Sequence, residues 1–277
     1  MRPLLERTAG SPDVRIGLID GPVDRGHPNL AGANVRDVSP EGAPGCSRAG
    51  SDACRHGTLV AGVLVGARGS GAPAICPGCT LLVRSIFLET QPHDGRLPAA
   101  SVDEVAAAIV ATVDAGVRVM NLSVALAEPS SRAEQRLHDA LDYAASRRVL
   151  VVAAAGNQAT LGSSVITRHP WVIAVIACDS TGRPTRDSNL SHSAGKRGLS
   201  APGERITSLA PESRIESFSG TSAAAPFVTG AIALLWSLFP AAAAHRLRFA
   251  ITGGGALRRT SVVPPRLDGV GAYRWMS

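Results

Sequence analysis

Ser222 lies in Ser219-Gly220-Thr221-Ser222-Ala223-Ala224-Ala225-Pro226, ahead of residues 227–239, whose apolar run predicts a buried helix. At a helix start the backbone N–H groups point outward and the dipole favours negative charge. That suits a nucleophile whose attack creates an oxyanion, although a serine there is also an ordinary helix cap. A serine hydroxyl needs a base, the base needs an acid to fix its tautomer, and the oxyanion needs donors. Asp20 ends the β-branched run 14–19, a predicted strand. His56 opens the small and apolar stretch 56–66, which predicts a packed helix beginning near it. There the helix dipole would hold the imidazole neutral, as a general base requires. Asn157 follows a predicted strand and Gly156, so its amide and the Ser222 N–H are candidate oxyanion donors. Singly these are a turn aspartate, a structural histidine, a cap and a loop asparagine. Together, at strand ends and helix starts of one sheet, they point to acyl-transfer chemistry. Asp24 and His27, in the loop after Asp20, read as structural.

The elements that must position these residues alternate along the chain. Strands are predicted over 14–19, 80–87, 117–123, 149–155 and 171–178, and helices over 101–115, 132–147 and 241–251. Ser101-Val102-Asp103-Glu104 is a capping box. The alternation predicts an α/β fold, a mainly parallel twisted sheet with helices on both faces. Residues 36–55 read as Gly/Pro/Ser-rich and irregular, and 179–214 as polar and loop-rich. The expected organisation is an N-terminal extension over 1–13, one domain over 14–252 and an irregular basic tail over 253–277.

Composition excludes several function classes. The 277 residues are 45% hydrophobic and 18% charged, a globular balance with enough chain for one large core. Net charge is +6, carried by arginine, since Lys196 is the only lysine. Residues 241–277 hold six arginines against Asp268, either a solvated face or a docking surface for an acidic partner. Nucleic acid is not an expected partner: no recognition motif is present and aromatics are only 4%. No charge-free apolar run reads as long enough for a bilayer, and residues 1–14 lack a signal-peptide core, so a cytoplasmic protein without membrane association is expected. Cys46 and Cys54, and Cys76 and Cys79, form two pairs in sequence; zinc, disulfide and redox-variable thiols all stay open for them. Cys178 reads as an inert core residue.

Ile16-Gly17-Leu18-Ile19-Asp20, His56-Gly57-Thr58-Leu59-Val60-Ala61-Gly62 and Ser219-Gly220-Thr221-Ser222-Ala223-Ala224-Ala225-Pro226 resemble the three catalytic blocks of subtilisin-like serine proteases. Ala154-Ala155-Gly156-Asn157 is similar to the family's oxyanion block, Asn121-Leu122-Ser123 to its substrate-pairing strand, and Ser200-Ala201-Pro202-Gly203 to a family turn. The order Asp, His, Ser is the subtilisin order. The resemblance spans about residues 14–252 and implies a subtilisin-like three-layer fold and a serine endopeptidase. It implies that Asp20 orients, His56 is base and then acid, Ser222 attacks and Asn157 stabilises the oxyanion. Substrate would lie along Ser123, Val124, Ala125, Ala154 and Gly156. No cofactor and no metal are implied.

The departures carry expectations too. Ala223 stands where methionine is usual, which should loosen local packing more than it harms the chemistry. Ala125-Leu126 stand where a glycine pair is usual, so a small or restricted P1 residue is expected. The stretch 69–77 offers few oxygen side chains, so no calcium is expected there. No inhibitory pro-segment is read before Asp20. The segment Asp20-Gly21-Pro22-Val23-Asp24, with His27-Pro28 and residues 81–87, looks like the subtilases of cyanobactin-type precursor maturation. That subgroup implies trimming of a leader or tail from a precursor peptide, with an acidic leader as a candidate partner of the basic tail. The short gap from Asp20 to His56 favours hydrolysis over transpeptidation. The rivals are a general degradative subtilase, a non-catalytic binding protein on the same fold, and a serine esterase, which would prefer a Gly-x-Ser-x-Gly elbow.

Overall fold

The computed structural model describes residues 2–40, 46–48, 50–87, 89, 100–124, 131–253 and 260–277, with the backbone alone for 131–133. Seven strands form one parallel sheet: β1 Arg15–Asp20, β2 Asn34–Asp37, β3 Thr80–Ser85, β4 Val119–Leu122, β5 Leu150–Ala154, β6 Val172–Cys178 and β7 Leu199–Pro202. Their order is β2-β3-β1-β4-β5-β6-β7. The chain therefore sets β2 at one edge and β3 between it and β1, then adds β4 to β7 in order on the other side of β1. In such sheets ligands bind beyond the carboxyl ends of the strands where the order reverses. Asp20 ends β1, and Ser123 follows β4 at that place.

Strand side chains alternate between two cores. Ile16 and Leu18 join the core with α2 (Asp52–Val65) and α7 (Thr221–Leu238), while Ile19 joins the core with α3 (Val102–Asp114) and α4 (Ser131–Ser146). The α/β class and the three-layer arrangement read from the sequence are what the chain adopts. Helix α7 is the centre of the first core. Val228, Ile232, Leu234 and Leu235 are fully buried, each side chain contributing about 1.5–3 kcal/mol.

Several boundaries differ from the sequence reading. Helix α7 begins at Thr221 and not near 227, because the small residues 222–225 and Pro226 hide its first turns from a hydrophobicity pattern. Pro226 has no N–H for the Ser222 carbonyl. The helix is also long and apolar enough to cross a membrane by length and composition, correcting the sequence reading; 78% of that window is buried inside the protein. Helix α2 begins at Asp52, capped by the Ser51 hydroxyl, which accepts from Cys54 N–H at 3.3 Å. His56 therefore sits past the first turn, and the dipole argument for it does not apply, since that effect fades within one turn.

Residues 179–214 are not all loop. They hold α6 (His192–Arg197), β7 and β8 (Ile206–Ala210), which pairs antiparallel with β9 (Arg214–Phe218). The polar β2 was missed because it is an edge strand with only partial burial. The end of the chain is not irregular throughout: α9 (Gly269–Met276) is capped by Asp268, whose Oδ1 accepts from Gly271 N–H at 2.8 Å. It packs on α8 (Ala244–Ile251), and Met276 enters the same core as Leu4 of α1 (Arg2–Leu5). The remaining helix, α5 (Val165–Arg168), precedes β6.

Cys46 and Cys54 form a disulfide, with Cα atoms 5.3 Å apart. Cys76, Cys79 and Cys178 are buried thiols. The hydrogen bond between Cys76 and Cys79 pushes the first thiol up and holds the second down, and burial pushes Cys178 up. His138, Asp142 and His169 form a further polar cluster on the α4 side. His169 Nδ1 accepts from Trp171 N–H at 3.3 Å, so its proton lies on Nε2, facing Asp142 Oδ1 at 3.2 Å. That nitrogen has no lone pair for a cation, so the cluster is a clasp between α4 and the approach to β6. A shallow groove between α3 and α4 shares no residue with the candidate site, and its Asp103, Asp114 and Asp139 already bond Arg136, Tyr143 and Gln135.

Candidate active site

The end of β1 delivers Asp20 fully buried beneath the first turns of α2. His56 Nδ1 lies 2.7 Å from Asp20 Oδ1. The carboxylate only accepts, so Nδ1 carries the imidazole proton and the Nε2 lone pair stays free. Gly21 N–H donates to the same Oδ1 at 2.6 Å. The close approach of α2 requires glycine at 57, where a Cβ would strike the Gly21 and Pro22 carbonyl oxygens. Thr58 fixes the same contact, accepting from Asp24 N–H at 2.9 Å and donating to Cys54 C=O at 2.7 Å.

The hairpin β8–β9 closes the other side of His56. Phe218 meets the imidazole edge-on, with ring centroids 6.4 Å apart. Arg55, beside His56, pairs with Glu216 at 2.6 Å, and Arg214 reaches the other Glu216 oxygen at 3.1 Å. Asp24 and His27 hold the hairpin's turn, Asp24 Oδ2 accepting from Glu212 N–H and His27 Nε2 meeting Arg214 C=O, each at 3.2 Å. Their structural reading stands on those contacts.

From Phe218 the chain runs through Ser219 and Gly220 into α7. Gly220 has φ +121°, which L side chains rarely adopt, and a Cβ there would press on the Asn157 carboxamide at 2.8 Å. Asn157 Oδ1 accepts from Thr221 N–H at 2.8 Å, and Thr221 Oγ1 accepts from Gly156 N–H at 3.1 Å. The loop after β5 is thereby clasped to the helix start, one residue before Ser222. Among the described residues, neither the Ser222 N–H nor Asn157 Nδ2 has an acceptor. No hydrogen bond of the described residues joins His56 Nε2 to Ser222 Oγ. Such bonds are often long without substrate and tighten on binding.

Ser123 is buried at the end of β4 and accepts from Asn121 Nδ2 at 3.0 Å; Asn121 Oδ1 in turn accepts from Thr229 of α7 at 2.9 Å. Val124, Ala154 and Gly156 are half-buried on the neighbouring strand ends. Ala125 and Leu126, which carry the small-P1 expectation, lie outside the described residues, as do Arg258 and Arg259. Sequence reasoning missed Phe218, Glu216, Thr221 and Thr229 as supports of the site. Only Thr221 had a signal, its place beside the serine.

Residues 11–254 match the family described as the subtilase family. The chain belongs to it. Among relatives, fervidolysin of Fervidobacterium pennivorans is 30% identical over 271 residues, 88% of this chain and 37% of its own length. This subtilase thus spans little more than a third of that relative. Its fold is similar to the protease domain of PatA, with 30% identity, TM-score 0.82, and 96% of this chain and 95% of that one covered. It is also similar to the prenylagaramide maturation protease PagA, with 26% identity, TM-score 0.85, and 100% and 98% covered.

Proposed function

We propose that this subtilase is a serine endopeptidase that cleaves a precursor peptide through an acyl-enzyme. The observation that carries the reading is the bond from His56 Nδ1 to buried Asp20, which leaves the Nε2 lone pair free to act as a base, with Phe218, four residues before Ser222, against the imidazole. Ser222 Oγ attacks the scissile carbonyl and passes its proton to His56 Nε2. Asp20 stabilises the imidazolium and keeps its proton at Nδ1. The tetrahedral oxyanion takes hydrogen bonds from Asn157 Nδ2 and Ser222 N–H. Collapse expels the amine, which receives the proton from His56, and water then reverses the sequence to release the acid. Ser123, Val124, Ala154 and Gly156 line the strand ends where the substrate backbone lies, and Ala125 completes that set from the sequence reading. Labelling with a fluorophosphonate tests the reading. Wild type should label on Ser222 and Ser222→Ala should not; a wild type that does not label removes it.

The precursor reading rests on the similarity to PagA, described as a maturation protease, and to the PatA protease domain. We extend it to an acidic leader held near the C-terminal helices. Arg246 stacks over Trp275 at 5.6 Å, and the exposed Trp275 lies 5.2 Å from the exposed Phe249, an aromatic and cationic surface on α8 and α9. Arg246→Gln with Arg274→Gln should raise KM about tenfold or more for a full precursor, as two charge-assisted contacts are lost, and leave KM for its core peptide unchanged. Equal KM values on the full precursor would sink the docking surface.

A further inference from the structure

Asp20 is held from one side only. Among the described residues its donors, Gly21 N–H and His56 Nδ1–H, converge on Oδ1, while Oδ2 is buried without a hydrogen-bond partner. A carboxylate oxygen in that state is costly. Gly21 cannot supply a side-chain donor, because any Cβ there would strike the Ala53 carbonyl of α2.

The Ser85 hydroxyl is also buried without a partner among the described residues. It lies on β3, the strand beside β1, and in the parallel register Ser85 stands opposite Asp20. The two side chains share a face. Leu81 and Val83 enter the α2–α7 core together with Ile16 and Leu18, and the two-residue period carries that face to Ser85 and Asp20. Neighbouring strands lie about 4.8 Å apart, so rotation of one serine bond spans the gap. The Ser85 backbone is already fixed, its N–H donating to Ser39 Oγ at 2.8 Å.

We propose that the Ser85 hydroxyl donates to Asp20 Oδ2 and is a positioning residue for the catalytic pair. One hydrogen bond then satisfies both orphaned atoms. It also stops the carboxylate turning about Cβ–Cγ, a broad two-fold torsion, and so keeps Oδ1 presented to His56 Nδ1. The role rests on the serine endopeptidase reading, because it acts through Asp20 and His56.

The test compares Ser85→Ala and Ser85→Thr with wild type in turnover of a peptide substrate and in the low-field proton resonance of His56 Nδ1–H. Ser85→Ala should lower kcat about tenfold with KM within about twofold, the order of effect of losing one hydrogen bond to a charged group. Its Nδ1–H resonance should shift. Ser85→Thr keeps a hydroxyl and should restore both. Unchanged kcat with an unmoved resonance in Ser85→Ala overturns the assignment, as does a loss that a folded Ser85→Thr fails to restore. If Ser85→Thr does not fold, the resonance in Ser85→Ala decides alone. A wild type without turnover would sink the endopeptidase reading, whereas the resonance would still report the link from Ser85 to Asp20.

Discussion

Replacing Ser222 by alanine is expected to lower kcat on the order of 10⁶-fold, because a nucleophile and its base act as one unit. His56→Ala should cost about as much, and the double variant no more than either alone. Asp20→Asn should cost about 10⁴-fold, since an amide at that place favours the wrong imidazole tautomer. Structure makes these clean experiments. Ser222 is half-buried and makes no hydrogen bond through its hydroxyl among the described residues, so removing Oγ leaves the packing of α7 in place. Thermal melting of Ser222→Ala should match wild type. Additive losses in the double variant, or a Ser222→Ala protein with more than about one per cent of wild-type turnover, would contradict the assigned unit.

The second large effect is at Asn157, whose two ends have separate tasks. Oδ1 accepts from Thr221 N–H and ties the loop to the helix start, while Nδ2 is left for the oxyanion. Asn157→Asp keeps an acceptor for Thr221 and removes the donor, so kcat should fall by at least about 10²–10³-fold with little change in KM or melting temperature. Asn157→Ala loses both ends. It should show a similar kcat loss together with about 1 kcal/mol of lost stability, because the Thr221 N–H loses its acceptor. Measuring kcat, KM and melting temperature for the two variants separates the tasks. A kcat within threefold of wild type in Asn157→Asp would remove Asn157 from the chemistry.

The helix assignments show where local pattern is a poor guide. The capping box at Ser101 and Glu104 was readable because every group in it lies within four residues, and the structure closes it. The start of α7 was not, because Ala223, Ala224 and Ala225 carry little hydrophobic signal and Pro226 reads as a break. Their small size reflects the helix running through the core, where Ala223, Ala224 and Ala225 are all fully buried. His56 was assigned a helix-start electrostatic role that fails because Ser51 begins the helix one turn earlier. A single cap residue in a Gly/Pro-rich stretch carries little local signal, and Ser51 shows itself as the cap only through its bond from Cys54 N–H.

By itself the sequence determined the family, the α/β layering and the four residues offered for the chemistry. Hydrophobic period reports local burial, and short motifs report residues that must keep fixed neighbours in the chain. Tertiary structure decided how those residues are held. It put both Asp20 donors on one oxygen, clasped Asn157 to Thr221 across 64 residues of chain and joined Arg55 to Glu216 across 161. It also set Ser85 opposite Asp20. Such partners come from strand register and helix packing, in which each contact depends on every element between the two residues, and no local pattern in the chain encodes that.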